Sequence, residues 1–196
     1  MPDILSPGLS PGHKETSGFR RLPGDPPRRE MLARMLRVDQ AGEYGAVRIY
    51  EGQSAVLKDS DCAHTVREMA ENEKTHLATF NTLLIERRVR PTALQPVWHV
   101  LGFALGAGTA LLGEKAAMAC TVAVEEVIEA HYARQARTLG EAEPDLREVI
   151  LRYRDDELEH RENALAHGAA QYPASPLLST VIKTGARLAI WLSERV

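Results

Sequence analysis

One arrangement of ionisable residues constrains this chain more than any other. Glu43 is followed 30 residues later by Glu73-Lys-Thr-His76, and Glu125 is followed 32 residues later by Glu157-Leu-Glu-His160. The order Glu, then Glu-x-x-His, therefore occurs twice. Residues at i and i+3 share a helix face, so each Glu-x-x-His aims a carboxylate and an imidazole at one point. Two such pairs plus two lone glutamates give four carboxylates and two imidazoles. That is the donor set of carboxylate-bridged di-iron and di-manganese sites built from four helices. Carboxylate oxygen with imidazole suits iron or manganese, and the absence of thiolates disfavours a soft metal. A single Glu-x-x-His is ordinarily a solvated helix face. The specificity lies in the duplication, the near-equal spacing and the glutamate that precedes each copy.

The rest of the chain is consistent with such a bundle. Ala, Leu, Glu and Arg are abundant, hydrophobic residues make up 44% of the chain and aromatics only 5%, a balance that favours helix. Residues 1–27 hold six of the eleven prolines and are expected to form a disordered Pro/Gly-rich tail. Helices are predicted at about 29–57, 62–87, 97–138, 145–170 and 176–194, with a break in the third at the glycines of 102–113. The expected fold is all-α, a ferritin-like antiparallel four-helix bundle over 28–196 with additional apolar helices. The net charge of −3 suggests no nucleic-acid partner. Cys62 and Cys120 are far apart and form no CxxC motif, which speaks against zinc and against a disulfide scaffold.

The flanks of the repeat sharpen it. Tyr50 and Tyr132 each lie seven residues after a lone glutamate, and Gln53 and Gln135 ten residues after. An offset of seven returns to nearly the same helix face. The apolar run Cys120-Thr-Val-Ala-Val124 leads straight into Glu125, placing a carboxylate where the pattern is core, and a buried carboxylate wants a cation. Glu71, Glu126, Glu129 and Glu159 compete as ligands; the alignment of the repeats selects Glu73, Glu125 and Glu157. Asp39 and Asp156 are candidate acceptors for the outer N–H of a metal-bound histidine.

Beyond the repeat, long stretches resemble the demethoxyubiquinone hydroxylases of ubiquinone biosynthesis. They are Leu36-Arg-Val-Asp-Gln-Ala-Gly-Glu-Tyr-Gly-Ala46, Asn81-Thr-Leu-Leu84, Val100 to Gly113, Ala119-Cys-Thr-Val-Ala-Val-Glu-Glu126, Arg154-Asp-Asp-Glu-Leu-Glu-His160 and Leu192-Ser-Glu-Arg195. The resemblance covers roughly 30–196. It implies a di-iron monooxygenase that uses O₂ to hydroxylate the ring of a demethoxyubiquinone or its quinol. Glu43, Glu73 and His76 would hold one iron, and Glu125, Glu157 and His160 the other, with some glutamates bridging. It also singles out His131 and Tyr132 near the site. It also implies a lipid-binding partner protein from the ubiquinone pathway. An external two-electron reductant is expected; no GxGxxG fingerprint appears, and reduced nicotinamide such as NADH, a reductase and the quinol itself all stay open as its source. A homo-oligomer is a further expectation.

Residues 97–113 carry no Asp, Glu, Lys or Arg. Seventeen residues are at the short edge for a membrane span. The expectation is a peripheral protein that rests this segment and an amphipathic C-terminal helix on a bilayer, with Trp98 at the headgroups. An apolar groove near residues 97–124 is expected to pass the ring to the metals. The cytoplasmic face of a bacterial membrane is the expected location, or the matrix face of the mitochondrial inner membrane if the chain is organellar. A bacterioferritin-like ferroxidase is the rival enzyme reading, and a metal-free structural bundle the non-enzymatic one.

Overall fold

The structure, a computed structural model, describes residues 23–196. The part of the expected tail before residue 23 lies outside them. Among the described residues the regular structure is entirely helical: α1 Arg28–Val56, α2 Ala63–Arg87, α3 Gln95–Leu111, α4 Glu114–Leu139, α5 Pro144–Ala166 and α6 Ser175–Ser193, with one 3₁₀ turn at Ala169–Gln171.

Local sequence explains the boundaries. Pro26-Pro27 precedes α1, and the Pro27 carbonyl accepts the first helical bond, from Met31 N at 3.1 Å. The helix α2 closes with Arg88 in the left-handed region (φ 54°), where Val89 N reaches Leu84 O and Arg88 N reaches Ile85 O. That paired bond pattern usually recruits glycine, and here an arginine accepts the strain. Gly113 (φ 106°) separates α3 from α4.

The helices α1 and α2 form one hairpin and α4 and α5 a second, and the two hairpins make the four-helix bundle. The connecting helix α3 lies along α1, while α6 lies along α4 and touches α1. Three apolar clusters make up the core among the described residues: one, with Ile49, Cys120, Val124 and Ile182, lies where α6 packs on α4 and α1, and the other two are layers of the bundle. One layer holds Tyr50, Val66, Met69 and Met118. The other holds Leu36, Phe80, Tyr132, Ile150 and Tyr153. Between them sits a layer of buried charge.

The predicted long third helix does break, but only at Leu112-Gly113. Gly102, Gly106 and Gly108 lie inside α3. Two of them serve a close crossing. A Cβ on Gly106 would overlap the Ile49 carbonyl of α1, and one on Gly102 would come within 2.9 Å of the Gly45 carbonyl. Glycine there brings α3 backbone against α1 backbone, not a loop. No helix among the described residues is long and apolar enough to cross a membrane.

This crossing yields a paired expectation. Gly106→Val should destabilise the fold by ~3 kcal/mol or more, because the clash is with backbone. Gly108→Ala, whose Cβ meets nothing within 4 Å, should be neutral or stabilising by up to ~1 kcal/mol. Chemical denaturation of both variants checks this.

Candidate metal centre

Each hairpin contributes one copy of the repeated motif. Glu43 comes from the middle of α1, Glu73 and His76 from α2, Glu125 from α4, Glu157 and His160 from α5. All six side chains meet between the two apolar layers, and none is more than 2% exposed. They form two overlapping groups whose donor atoms lie within 4.8 Å of one another: Glu43, Glu73, His76 and Glu157, and Glu73, Glu125, Glu157 and His160. Glu73 and Glu157 belong to both. The competing glutamates face elsewhere. Glu71 pairs with Lys74, Glu126 with Lys183 and Glu129 with Arg161, while Glu159 is exposed.

The tyrosines cross over. Tyr50, on the helix of Glu43, donates to Glu125 Oε1 at 2.5 Å, and Tyr132, on the helix of Glu125, donates to Glu43 Oε1. The glutamines follow suit: Gln53 Nε2 donates to Ala117 O and Thr121 Oγ1 at 3.1 and 3.3 Å, and Gln135 Nε2 to Asp39 Oδ1 at 2.7 Å. The sequence pattern placed these residues on the face of their own glutamate; their partners lie on the opposite hairpin.

Both histidines turn Nδ1 inwards, at 3.1–3.7 Å from the carboxylates, and Nε2 outwards. His76 Nε2 lies 3.0 Å from Asp156 Oδ2. Asp156 thus occupies the acceptor position expected of it. Asp39 does not: it is paired with Gln135 and lies 3.4 Å from His131 Nε2. His160 Nε2 instead meets the Asn72 amide at 3.4 Å, a residue the sequence reading passed over. Asn72 stands immediately before Glu73 as Asp156 stands before Glu157, so its position in the repeat carried the signal.

Burial works against every charge here. It pushes Glu43 and Glu125 well above the usual carboxylate range, reinforced by Glu73 on Glu43 and by Glu157 on Glu125. Burial would also lower His160, but Glu157 and Glu73 outweigh it and raise the imidazole to about 9. His76 is raised further by the same kind of contact. Even so, both oxygens of Glu73 and Glu157, one each of Glu43 and Glu125, and both inward Nδ1 atoms have no hydrogen-bond partner. Eight buried, convergent, unsatisfied donor atoms are a costly arrangement unless cations occupy the centre. The residues present therefore fit a pair of divalent metal ions.

His131 and Tyr132 flank the same centre. Tyr132 is its hydrogen-bonding partner through Glu43. His131, 8% exposed, sits one layer out, where Gln135 spans it and Asp39 at 2.8 and 2.7 Å.

A second feature adjoins the centre. An apolar groove of about 560 Å³ lies between α1, α4, α3 and α6. Its floor includes Gly42, Gly45, Ala46 and Val124, neighbours of Glu43 and Glu125 in sequence, and its rim includes Trp98, Leu101 and Val181. Trp98 Nε1 donates to Ser193 Oγ at 3.1 Å, tying α3 to α6. Around the groove, Val100, Leu111, Leu112, Leu177, Val181, Leu188 and Trp191 are each more than half exposed.

Comparison with known proteins places this architecture. The model of the family described as "Ubiquinone biosynthesis protein COQ7" matches residues 30–193. The chain belongs to the COQ7 family. It is 59% identical over 177 residues to the 3-demethoxyubiquinol 3-hydroxylase of Rhodospirillum rubrum, covering 90% of this chain and 84% of that one. It is 53% identical over 172 residues to the mitochondrial NADPH-dependent 3-demethoxyubiquinone 3-hydroxylase of Homo sapiens, covering 86% and 79%. Over 182 residues it is 42% identical to the mitochondrial 5-demethoxyubiquinone hydroxylase of Saccharomyces cerevisiae, covering 84% and 78%. The matched COQ7 region takes in both copies of the motif and the lining residues of all four groove helices.

The protonation pattern has a consequence for stability. A raised imidazole stabilises the fold fully below its unfolded pKa, ~6.5, and that contribution is lost as pH rises through the folded value of about 9 for His160. Buried Glu43 and Glu125, also raised, add to the loss as they ionise. Bound divalent metal replaces those protons and removes the penalty. The melting temperature of metal-free protein should therefore fall between pH 6.5 and 9.5. The gain in melting temperature on adding Mn²⁺ or Fe²⁺ should widen over the same interval, as thermal unfolding with and without metal would record.

Proposed function

We propose that this chain is a di-iron monooxygenase that hydroxylates the ring of a demethoxyubiquinone or its quinol. The observation that carries this reading is the adjacency of two features: a buried centre of four carboxylates and two imidazoles, and an apolar groove whose floor is built from the helices that hold Glu43 and Glu125. The names of the relatives, all hydroxylases of this substrate class, support it. A ferroxidase requires the centre but gives no reason for the groove.

Glu43 and His76 would hold one iron, Glu125 and His160 the other, with Glu73 and Glu157 shared between them. The metal pair, when bound, supplies O₂ activation and delivery of one oxygen atom to a ring carbon. The balance is one oxygen into the ring C–H and one into water, with two electrons and two protons from outside the ring. Those electrons come from an external donor; the "NADPH-dependent" names of several relatives support a reduced nicotinamide.

The chain's own residues supply position. Tyr50 and Tyr132 fix the orientation of Glu125 and Glu43 by donating to one oxygen of each. The groove takes the prenyl-bearing ring and keeps water away, each buried CH₂ contributing roughly 0.8 kcal/mol. His131 Nε2 accepts from Gln135 Nε2, which also donates to Asp39 Oδ1, so the imidazole is held one layer from the centre as a polar group that can position the substrate ring. The exposed apolar faces of α3 and α6 rest on the bilayer that contains the substrate, leaving the chain peripheral.

The deciding measurement is a single turnover with ferrous protein, a short-chain demethoxyubiquinol and isotopically heavy O₂. One heavy oxygen in a ring-hydroxylated product is expected. Oxidised iron with unchanged quinol would refute the reading. His131→Ala should keep its iron and slow the turnover by ~100-fold, the scale of a misplaced substrate; wild-type rates would remove His131 from the mechanism.

Membrane docking makes a separate expectation. Leu177→Glu combined with Trp191→Glu should abolish co-flotation with anionic vesicles and slow turnover of a long-chain quinol carried in them. Turnover of the short-chain soluble quinol should stay unchanged. Co-flotation equal to wild type would place the membrane face elsewhere.

A further inference from the structure

The centre is symmetric in its six convergent residues and unsymmetric in what surrounds them. His76 Nε2 faces a carboxylate, Asp156 Oδ2, at 3.0 Å. His160 Nε2 faces the amide nitrogen of Asn72, Nδ2, at 3.4 Å, a group that donates and offers no acceptor. A carboxylate accepting the outer N–H makes the inner nitrogen a stronger metal donor and fixes the ring; an amide nitrogen gives no such support. The His76 ring is also stacked on Tyr153 at 3.9 Å between centroids, and Tyr153 is anchored through its hydroxyl to Thr79 at 2.5 Å. The His160 ring has no ring as close: Tyr50 lies edge-on at 6.2 Å and the His76 ring at 6.3 Å.

Access differs in the same direction. A polar cleft of about 430 Å³ between α2 and α5 ends on Asn72 and His160. Glu68, Glu71 and Glu159 line it and outnumber its one arginine, Arg67. Glu43, His76 and Asp156 do not line it. A hydrated cation drawn into the cleft meets His160 first and reaches the His76 side only past the shared Glu73 and Glu157.

We propose that the two metal positions are unequal: Glu43 and His76 form the tight position, with Asp156 as its positioning residue, and Glu125 and His160 form the exchangeable position, loaded and emptied through the cleft that ends on Asn72. This rests on the reading that the centre holds two metal ions. Its content is new: an order of filling, a route, and a residue responsible for each. The apolar groove lies against α1 and α4 and the cleft between α2 and α5, so quinol and cation use opposite faces of the bundle.

The test is an anaerobic calorimetric titration of the metal-free full-length protein with Fe²⁺, with release into a chelator followed by absorbance. Two ions should bind in two steps, the first tighter. Asp156→Asn should weaken the first step by about 10- to 100-fold and leave the second in place. Asn72→Asp, which supplies the missing carboxylate, should tighten the second step and close the gap. Asn163→Leu, which narrows the cleft and makes its wall apolar at a residue outside the six convergent ones, should slow release of the weaker ion several-fold at unchanged affinity. Two equal steps in the wild type, or Asp156→Asn acting on the second step alone, would overturn the inequality. Release unaffected by Asn163→Leu would overturn the route. Fewer than two bound ions would overturn the two-metal reading itself and this inference with it.

Discussion

The burial of four carboxylates in the middle of a helical bundle is the constraint on which the rest of this structure depends. An isolated ionised carboxylate is among the most expensive groups to remove from water. This protein buries four at one level, with two imidazoles as the only cationic side chains among them. Much of the surrounding sequence answers that cost. Tyr50 and Tyr132 donate to one oxygen each of Glu125 and Glu43, and Gln53 and Gln135 tie the same two helices one turn further out. These bonds run between α1 and α4, which would otherwise face each other across a charged gap. The apolar layers on either side then seal the centre from both ends of the bundle. A cluster this short of hydrogen-bond partners is stable as a metal site and poorly stable as anything else.

That is also why so much was legible in the residues. A metal site dictates residue type, spacing and helix face together, so two copies of Glu and Glu-x-x-His fixed four helices, their antiparallel pairing and the six convergent side chains. The helix ends at Pro26-Pro27, Arg88 and Gly113 followed from local chemistry. What stayed hidden depends on three dimensions. The partner of each tyrosine could not be read from one helix, because the hydrogen bond crosses to the other hairpin. Asp39 looked like a ligand's acceptor because it stands one turn before Glu43, but the rotation of α1 turns it to Gln135 and His131. The glycines of α3 read as a break because glycine weakens an isolated helix. Their function appears only when the Ile49 carbonyl of α1 is placed against Gly106.

An apolar groove was expected near residues 97–124, and Trp98, Leu101, Leu105 and Val124 do line one; the part that α1 and α6 play in it was not legible. Gly42, Gly45, Ala46 and Gly185 look like weak helix positions in one dimension. In the fold they are the absence of side chains that makes room between four helices. Small residues at those positions and exposed Leu, Val and Trp on the outer faces of α3 and α6 are one design. The first leaves the groove open between the helices, and the second exposes apolar surface on the two helices that flank it.

The departures from the internal symmetry follow a single logic. Where Gln53 meets the hydroxyl of Thr121, the matching Gln135 meets the carboxylate of Asp39, with His131 beside it. Ile49, one residue before Tyr50, occupies the place that His131 takes before Tyr132, and it points into the groove. One half of the duplicated motif therefore carries an apolar residue of the groove wall, and the other a hydrogen-bonded chain of Asp39, Gln135 and His131. A ferroxidase built from two equal halves would need neither. A reaction that must hold and orient an apolar ring needs both, on different sides of one centre. The two copies have kept the donor residues in common and divided the remaining work between them.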